Sequence, residues 1–151
     1  MAHRRNYSIT WSVTTASSAA TSAVLSTGNT VRPAIFDLII GCSGTPADNA
    51  LIWSLQRFTA AGTSTAYVPP PLDSGDPAAI SVGGVTCTIE PTYTSAKILM
   101  AISLNQRATH RWVADPDAHL VIPATASNGI GCYTLHASYT GLNGGTVFFY
   151  E

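Results

Sequence analysis

The sequence predicts an all-β protein, an antiparallel β-sandwich of the jelly-roll or Greek-key type with about eight or nine strands. Three observations predict this class. Apolar and polar residues alternate along most of the chain, turn residues recur about every 8 to 12 residues, and an amphipathic helical pattern is missing. The 151 residues are enough for one domain and too few for two.

The clearest strand lies near the start of the chain. Tyr7, Ile9, Trp11 and Val13 alternate with Ser and Thr, which predicts one apolar face and one hydroxyl-rich face, with Trp11 in the core. Residues 1–6 precede this pattern. We expect them to form a flexible arm, and residues 7–151 to form a single sandwich domain.

Further strands follow from similar patterns. The apolar runs 33–42 and 50–58 flank the turn-rich residues 43–49, so we expect them to pair as a hairpin, with Trp53 in the core. The remaining predicted strands are 82–90, 97–105, 111–114, 119–122, 132–139 and 146–150. Because strands are predicted at both ends of the chain, the first and last can be neighbours in one sheet.

Three segments, 12–32, 60–77 and 124–131, are predicted to be irregular. In residues 16–23, Ser and Thr side chains compete for backbone hydrogen bonds, so we expect a loop. The middle segment contains Pro69, Pro70 and Pro71, which fix φ and lack N–H donors. It is predicted to be either a rigid contact element or a plain surface crossover.

The composition predicts a neutral, associating surface. Charged residues make up only 10% of the chain, against about 25% in an average soluble domain. The net charge of -1 excludes the broad basic face of a nucleic-acid-binding protein. The apolar runs are far shorter than the about 20 residues of a membrane span, and residues 1–12 lack the apolar core of a secretory signal, so we expect a protein assembled in a cytoplasm.

Residues that could carry chemistry are few. Two His and two Asp lie close together, but Pro116 divides them, so we interpret them as turn residues and not as a metal site; the cluster is His110, Arg111, Asp115, Asp117 and His119. The three cysteines, Cys42, Cys87 and Cys132, follow no metal-binding spacing and are interpreted as buried small hydrophobic residues without disulfides. No nucleophile elbow or phosphate-binding loop is found, so we predict no enzyme and no cofactor.

Residues 67–79, with the sequence YVPPPLDSGDPAA, resemble a stretch in a family of small structural proteins of tailed bacteriophages. In that family a Gly/Thr/Ser-rich loop leads into residues that match Pro71, Leu72, Asp73, Gly75, Asp76, Pro77 and Ala78 here. Flanking features are also similar: a strand ending in Leu55, Gln56 and Arg57, a turn after Trp112, a strand into Ile122 and Pro123, and an aromatic C-terminal strand. Family members often carry Arg where this chain has Pro70, so a contact of that Arg is absent or rebuilt here.

The resemblance implies a capsid decoration (cement) protein that binds the major capsid protein on the outer head surface of a virion as a homotrimer. The candidate interface residues are Arg4, Arg5, Pro69, Pro70, Pro71, Leu72, Asp73, Gly75, Asp76, Pro77 and Trp112. Two other classes stay open. One is a carbohydrate- or receptor-binding virion module, for which an exposed Trp112 near Asp115 or Asp117 would be the expected feature. The other is a small jelly-roll capsid protein.

Overall fold

Two antiparallel sheets packed face to face make up the structure, a computed structural model that describes residues 4–14, 19–135 and 142–151. The strands are β1 (Asn6–Val13), β2 (Ala19–Ser26), β3 (Ala34–Ser43), β4 (Ala50–Ala60), β5 (Thr63–Tyr67), β6 (Val82–Ile89), β7 (Thr92–Asn105), β8 (His110–Val113), β9 (Leu120–Val121), β10 (Gly129–Leu135) and β11 (Leu142–Tyr150). The predicted all-β sandwich is confirmed. Helices long and apolar enough to cross a membrane are not found in the ranges just given.

The first sheet has the strand order β1-β11-β3-β8, with β9 pairing with β3 next to β8. The second has the order β5-β6-β2-β10-β4-β7. Eight strands, β1, β2, β3, β4, β7, β8, β10 and β11, form the two four-stranded centres β1-β11-β3-β8 and β2-β10-β4-β7. Along the chain, these eight strands alternate between the two sheets. The exception is β4 and β7, which follow each other in the same sheet.

The first and last strands are neighbours, as the sequence predicts. β1 pairs with β11 along its whole length, from Asn6 opposite Tyr150 to Val13 opposite Asn143. The predicted alternation in β1 is also confirmed, because Tyr7, Ile9, Trp11 and Val13 are all buried. Its outward-facing residues include the exposed Thr10 and Ser12. The two chain ends therefore meet at one end of the sandwich.

The core lies between the sheets and takes large side chains from both. Trp11 and Phe149 come from the first sheet, and Trp53, Leu55 and Ile130 come from the second. Both Trp11 and Trp53 are buried, as the sequence predicts. Cys132 is buried as well, but Cys42 and Cys87 are half-buried, so the prediction of three buried cysteines is correct for one.

The predicted loop at residues 16–23 is wrong for its described part, because β2 begins at Ala19. β2 lies between β6 and β10, so both neighbours supply backbone partners. β6 covers β2 only from Ala23 onward, and before that point the Thr21 N–H and hydroxyl donate to the Glu90 carboxylate, so these groups do not displace the ladder with β10. A second unpredicted strand, β5, lies in the segment 60–77 and pairs with β6 alone. These two additions give eleven strands within the described residues instead of eight or nine.

The predicted hairpin between residues 33–42 and 50–58 is also wrong. The corresponding strands, β3 and β4, belong to different sheets, and residues 44–49 carry the chain across the sandwich. β3 pairs with β8, β9 and β11, whereas β4 pairs with β7 and β10. The end of the predicted strand 132–139, beyond Leu135, lies outside the described residues.

Candidate binding surface

The proline-rich segment between β5 and β6, residues 68–81, crosses from the second sheet to the free edge of the first. We call it the strap. The Ser8 N–H donates to the Pro70 carbonyl at 3.3 Å, and the Leu72 N–H donates to the Asn6 carbonyl at 2.8 Å. Pro71 lies opposite Tyr7 in an antiparallel bridge. The strap thus covers, at the start of β1, backbone groups that an edge strand would otherwise leave unpaired.

The second half of the strap is fixed by the two terminal strands. The Tyr7 hydroxyl donates to the Pro77 carbonyl at 3.1 Å. The Glu151 carboxylate accepts from the Ile80 N–H at 2.7 Å, the Ser81 N–H at 2.9 Å and the Ser81 hydroxyl at 2.5 Å. Burial, and after it the charge of Glu151, raises the pKa of Tyr7, so its phenol keeps the proton that it donates. The strap is therefore held at both ends.

A tight turn shapes the tip of the strap. The Asp73 carboxylate accepts from the Gly75 N–H at 2.9 Å, and the Asp73 carbonyl accepts from the Asp76 N–H at 3.0 Å. This is the ordinary turn chemistry of aspartate. Pro69 is buried, whereas Leu72 and Asp73 are exposed. The turn and the Leu72 N–H bond together hold an exposed leucine on a fixed backbone.

Exposed apolar side chains concentrate on the strap and just after it. Val68 is 75% exposed, Leu72 53%, Ile80 47% and Val82 55%. Among the described residues these are four of ten exposed large hydrophobic side chains, and they fall within fifteen consecutive positions. A concentration of this kind is a feature of surfaces that bind other molecules.

Arg4 and Arg5 lie beside the second anchor of the strap. The guanidinium carbon of Arg4 is 4.4 Å from the ring centroid of Tyr150. The Arg5 carbonyl accepts from the Glu151 N–H at 3.2 Å. Residues 1–3 of the predicted arm lie outside the described residues. The structure therefore brings these two predicted interface residues together with the strap.

Trp112 lies away from the other predicted interface residues. β8 is at the opposite edge of the first sheet from β1, three strand spacings or about 14 Å away. The indole ring of Trp112 is half-buried and packs against the core. In the sheet, Trp112 lies opposite Leu38 of β3. The exposed Trp112 expected for a carbohydrate site is therefore not what the fold provides, although Asp115 and Asp117 are exposed.

The sequence reasoning missed a cluster of aromatic rings on the outer face of the first sheet. The ring centroid of Phe36 is 6.4 Å from that of Phe148 and 6.2 Å from that of Tyr150. His119 contacts the same tyrosine, with its Nδ1 at 2.9 Å from the hydroxyl oxygen. The signal was present in the alternation of the last strand, since the intervening Phe149 is fully buried and its neighbours must face outward.

The predicted turn cluster is divided among separate contacts. Arg111 forms an ion pair with the buried Asp37, with Nη2 at 2.5 Å from Oδ2 and Nε at 3.1 Å from both oxygens. Its hydrogen bond to Asp37 raises the pKa of Arg111 above its usual value. His119 faces Tyr150 instead. Across the described ranges, no three His, Cys, Asp or Glu residues come together as a metal site would require.

Comparisons with protein-family models, curated proteins and solved structures find no match to this chain. Its function is therefore proposed from the sequence resemblance at residues 67–79 together with its own geometry.

Proposed function

We propose that this chain is a bacteriophage capsid decoration, or cement, protein. It binds the major capsid protein on the outer surface of the head as a homotrimer, stabilises the shell and belongs to the virion. Its role is binding and not catalysis. The observation that carries the proposal is the strap, a proline-rich segment fixed at both ends that presents exposed apolar side chains.

The fixed backbone of the strap favours tight docking. A flexible loop loses conformational entropy when it binds, and the strap has already lost it on folding through its prolines and its bonds to Asn6, Ser8 and Glu151. Burial of Leu72 and its apolar neighbours then contributes almost in full. Complete burial of a leucine side chain contributes about 1.5 to 3 kcal/mol, and Leu72 is still half exposed.

Self-association is supported by the outer face of the first sheet. Thr10 and Thr146 form a hydroxyl pair there at 3.0 Å, and Ser12 is exposed beside them. The aromatic rings of Phe36 and Phe148 lie on the same face. A surface with so few charges has little repulsion to oppose contact between copies. Three linked copies bind a lattice far more tightly than one, because each later contact is intramolecular.

The strand order supports a virion protein as well. We assign the two four-stranded centres to a jelly roll, with the β5–β6 hairpin added at one edge. Jelly rolls are common in viral capsid proteins and in lectins. Carbohydrate binding is therefore the second candidate function, and the outward rings of Phe36, Phe148 and Tyr150 favour it, since sugars stack on such rings.

Solution mass and capsid binding test the proposal together. Size-exclusion chromatography with light scattering should give a trimer, and the trimer should co-sediment with capsids stripped of decoration protein. Leu72→Asp should weaken capsid binding by about tenfold or more, because it charges the exposed apolar strap. The matched control is Ile98→Asp on β7, an equally exposed apolar residue at the far edge of the second sheet, away from both the strap and the outer face of the first sheet, which should leave binding unchanged.

Three other outcomes contradict the proposal, each in a different way. A monomer that ignores capsids overturns it, and binding on a glycan array would then favour the carbohydrate module. Spontaneous assembly of the chain into closed shells would favour a capsid protein. Equal weakening by Leu72→Asp and Ile98→Asp would remove the strap from the interface.

A further inference from the structure

A cleft of about 310 Å³ opens at one end of the sandwich. None of its lining residues belongs to the strap. Five elements meet there: the start of β3, the end of β4, the start of β7, the short strand β9 and the start of β10. They bring Arg32, Arg57, Thr94 and Asn128 to one opening, with Phe58 and Val121 as apolar walls. Small-molecule sites in proteins start at about this volume.

The cleft is positively charged and its charge is not compensated. Among the residues that the structure describes, two arginines line it and no Asp or Glu does. Arg57 Nη1 donates to the Val121 carbonyl at 2.8 Å, which fixes the position of its guanidinium group. Arg32 is exposed and makes no hydrogen bond or ion pair with other described residues. Two uncompensated cations in one cleft concentrate anions there.

An unsatisfied hydroxyl group is a second, independent observation at the cleft. Thr94 Oγ1 is buried and has no hydrogen-bond partner in the described part of the chain. A buried polar group without a partner is destabilising, so such a group in a native protein calls for an explanation. Thr94 lines the cleft, so a turn of its side chain about χ1 would bring the hydroxyl to a ligand oxygen that supplies the missing partner, while the guanidinium groups bind the charge.

We propose that this cleft binds a compact organic anion with one carboxylate, such as an acidic monosaccharide. The planar guanidinium group matches a carboxylate in shape and charge. The cleft volume lies at the lower end of the range for small-molecule sites, which suits a single ring and its carboxylate. The half-buried Val121 contacts the apolar face of such a ring. This binding does not depend on the capsid-binding role.

A titration followed by NMR tests the proposal on the isotope-labelled full chain. D-glucuronate is the probe, with D-glucose as the neutral control and acetate as the carboxylate control, at constant ionic strength. Glucuronate should shift the amide signals of Thr94, Asn128 and Gly129 and the Nε–H signal of Arg57, saturably. Glucose should not shift them, and acetate should bind more weakly. No shifts, or equal shifts with glucose, would overturn the proposal.

Three variants separate binding from folding. Arg32→Gln removes a side chain that holds no other described residue, so the fold should stay intact while glucuronate affinity drops about tenfold. Thr94→Val removes only the unsatisfied hydroxyl and should weaken binding without lowering stability. Arg107→Gln removes the same charge outside the cleft and should change nothing. Unchanged affinity in both cleft variants would show that the ligand does not use this cleft.

Discussion

At the residue scale, Cys87 and Cys132 are shielded from solvent, and their thiols have raised pKa values. Burial raises the pKa of the Cys132 thiol to about 12. Burial, and after it the charge of Glu90, raises the pKa of the half-buried Cys87 thiol to about 11. The neutral thiol is the form that packs in an apolar core, whereas the thiolate is the reactive one. Both residues should therefore be slow to alkylate at neutral pH.

The same shifts predict that stability falls in alkali. A thiol in the unfolded chain loses its proton near pH 8.5, so above this pH the folded state binds more protons than the unfolded state. Stability from the neutral thiols is therefore complete below about pH 8.5 and is lost as the pH rises toward 12. Urea unfolding at several pH values between about 8 and 11 measures this decline. Cys132→Ala should flatten it, and an unchanged slope would contradict the assignment.

The sequence predicts single residues well where the pattern is strong. Trp11 alternates with polar neighbours and is buried as expected. Trp112 has weaker context, and its distance from the strap could not be predicted, because that distance depends on which edge of the sheet β8 occupies. Nothing in the local sequence indicates that Arg111 pairs with Asp37, 74 positions away.

At the scale of elements, β1 and β2 show what the pattern can and cannot predict. β1 has large apolar residues at alternate positions, which leave one assignment. β2 contains mainly Ala, Ser and Thr in its first half, residues that suit a loop as well as a strand. This half is a strand because it pairs with β10, which is far away along the chain. Side-chain chemistry alone therefore does not decide between loop and strand there.

The strap also has one feature that the sequence predicts and one that it does not. Its extended path follows from the prolines and is visible in the sequence. Its anchors are not, because Tyr7 and Glu151 are about as far along the chain from it as the domain allows, 70 positions from Pro77 and from Ser81. A structure is needed to see that the last residue holds the strap.

Removal of the Glu151 charge should loosen the strap. The carboxylate accepts three hydrogen bonds, and bonds to charged groups contribute about 1.5 to 3 kcal/mol each when well buried. Because Glu151 is only half-buried, we expect Glu151→Gln to lower the free energy of unfolding by about 2 kcal/mol in total. Urea denaturation measures this loss. Hydrogen exchange at the Ile80 and Ser81 amides should accelerate.

Asp117→Asn is the matched control, since this exposed carboxylate accepts no hydrogen bond from the described residues. Its stability should stay within about 0.5 kcal/mol of the original chain. Equal losses in the two variants would indicate a general charge effect and not an anchor.

At the scale of the whole molecule, a buried polar chain connects the two sheets. Trp11 Nε1 donates to Asn143 Oδ1 at 3.0 Å, and Asn143 Nδ2 donates to Thr134 Oγ1 at 3.4 Å. Thr134 Oγ1 in turn donates to the Ala20 carbonyl at 3.1 Å. Asn143 lies in the first sheet, and Thr134 and Ala20 lie in the second. This row of hydrogen bonds fixes how the two sheets are aligned, because each polar group needs the next one as its partner.

Asn143→Ala should therefore be among the costly substitutions. It leaves the buried indole N–H without a partner and opens a small cavity, so we expect a loss of about 3 kcal/mol in unfolding free energy. Thr10→Ala removes an exposed hydroxyl pair and should cost less than about 0.5 kcal/mol. Urea denaturation of the two variants measures both values. Similar losses in the two variants would mean that the buried row of hydrogen bonds contributes little to stability.

The sheet arrangement is the part of the fold that the sequence predicts least. The wrong hairpin between β3 and β4 shows why: both strands are apolar and close in sequence, so local pairing looks favourable. In the molecule each pairs with strands far along the chain, and both contribute buried residues to one core from opposite sides. Core packing decides the pairing, and no local window contains that information.

The pairing of β1 with β11 also sets how the molecule would respond to a pulling force. Asn6 and Tyr150 are opposite each other, so force applied to both chain ends would act across the pair and open its bonds one after another, like a zipper. The strap changes this, because Asn6 and Ser8 are also bonded to Leu72 and Pro70 on the other edge. The first residues of β1 to be pulled away are thus bonded on both sides, to β11 and to the strap. The force needed to separate β1 from β11 should therefore be highest at the start of the separation.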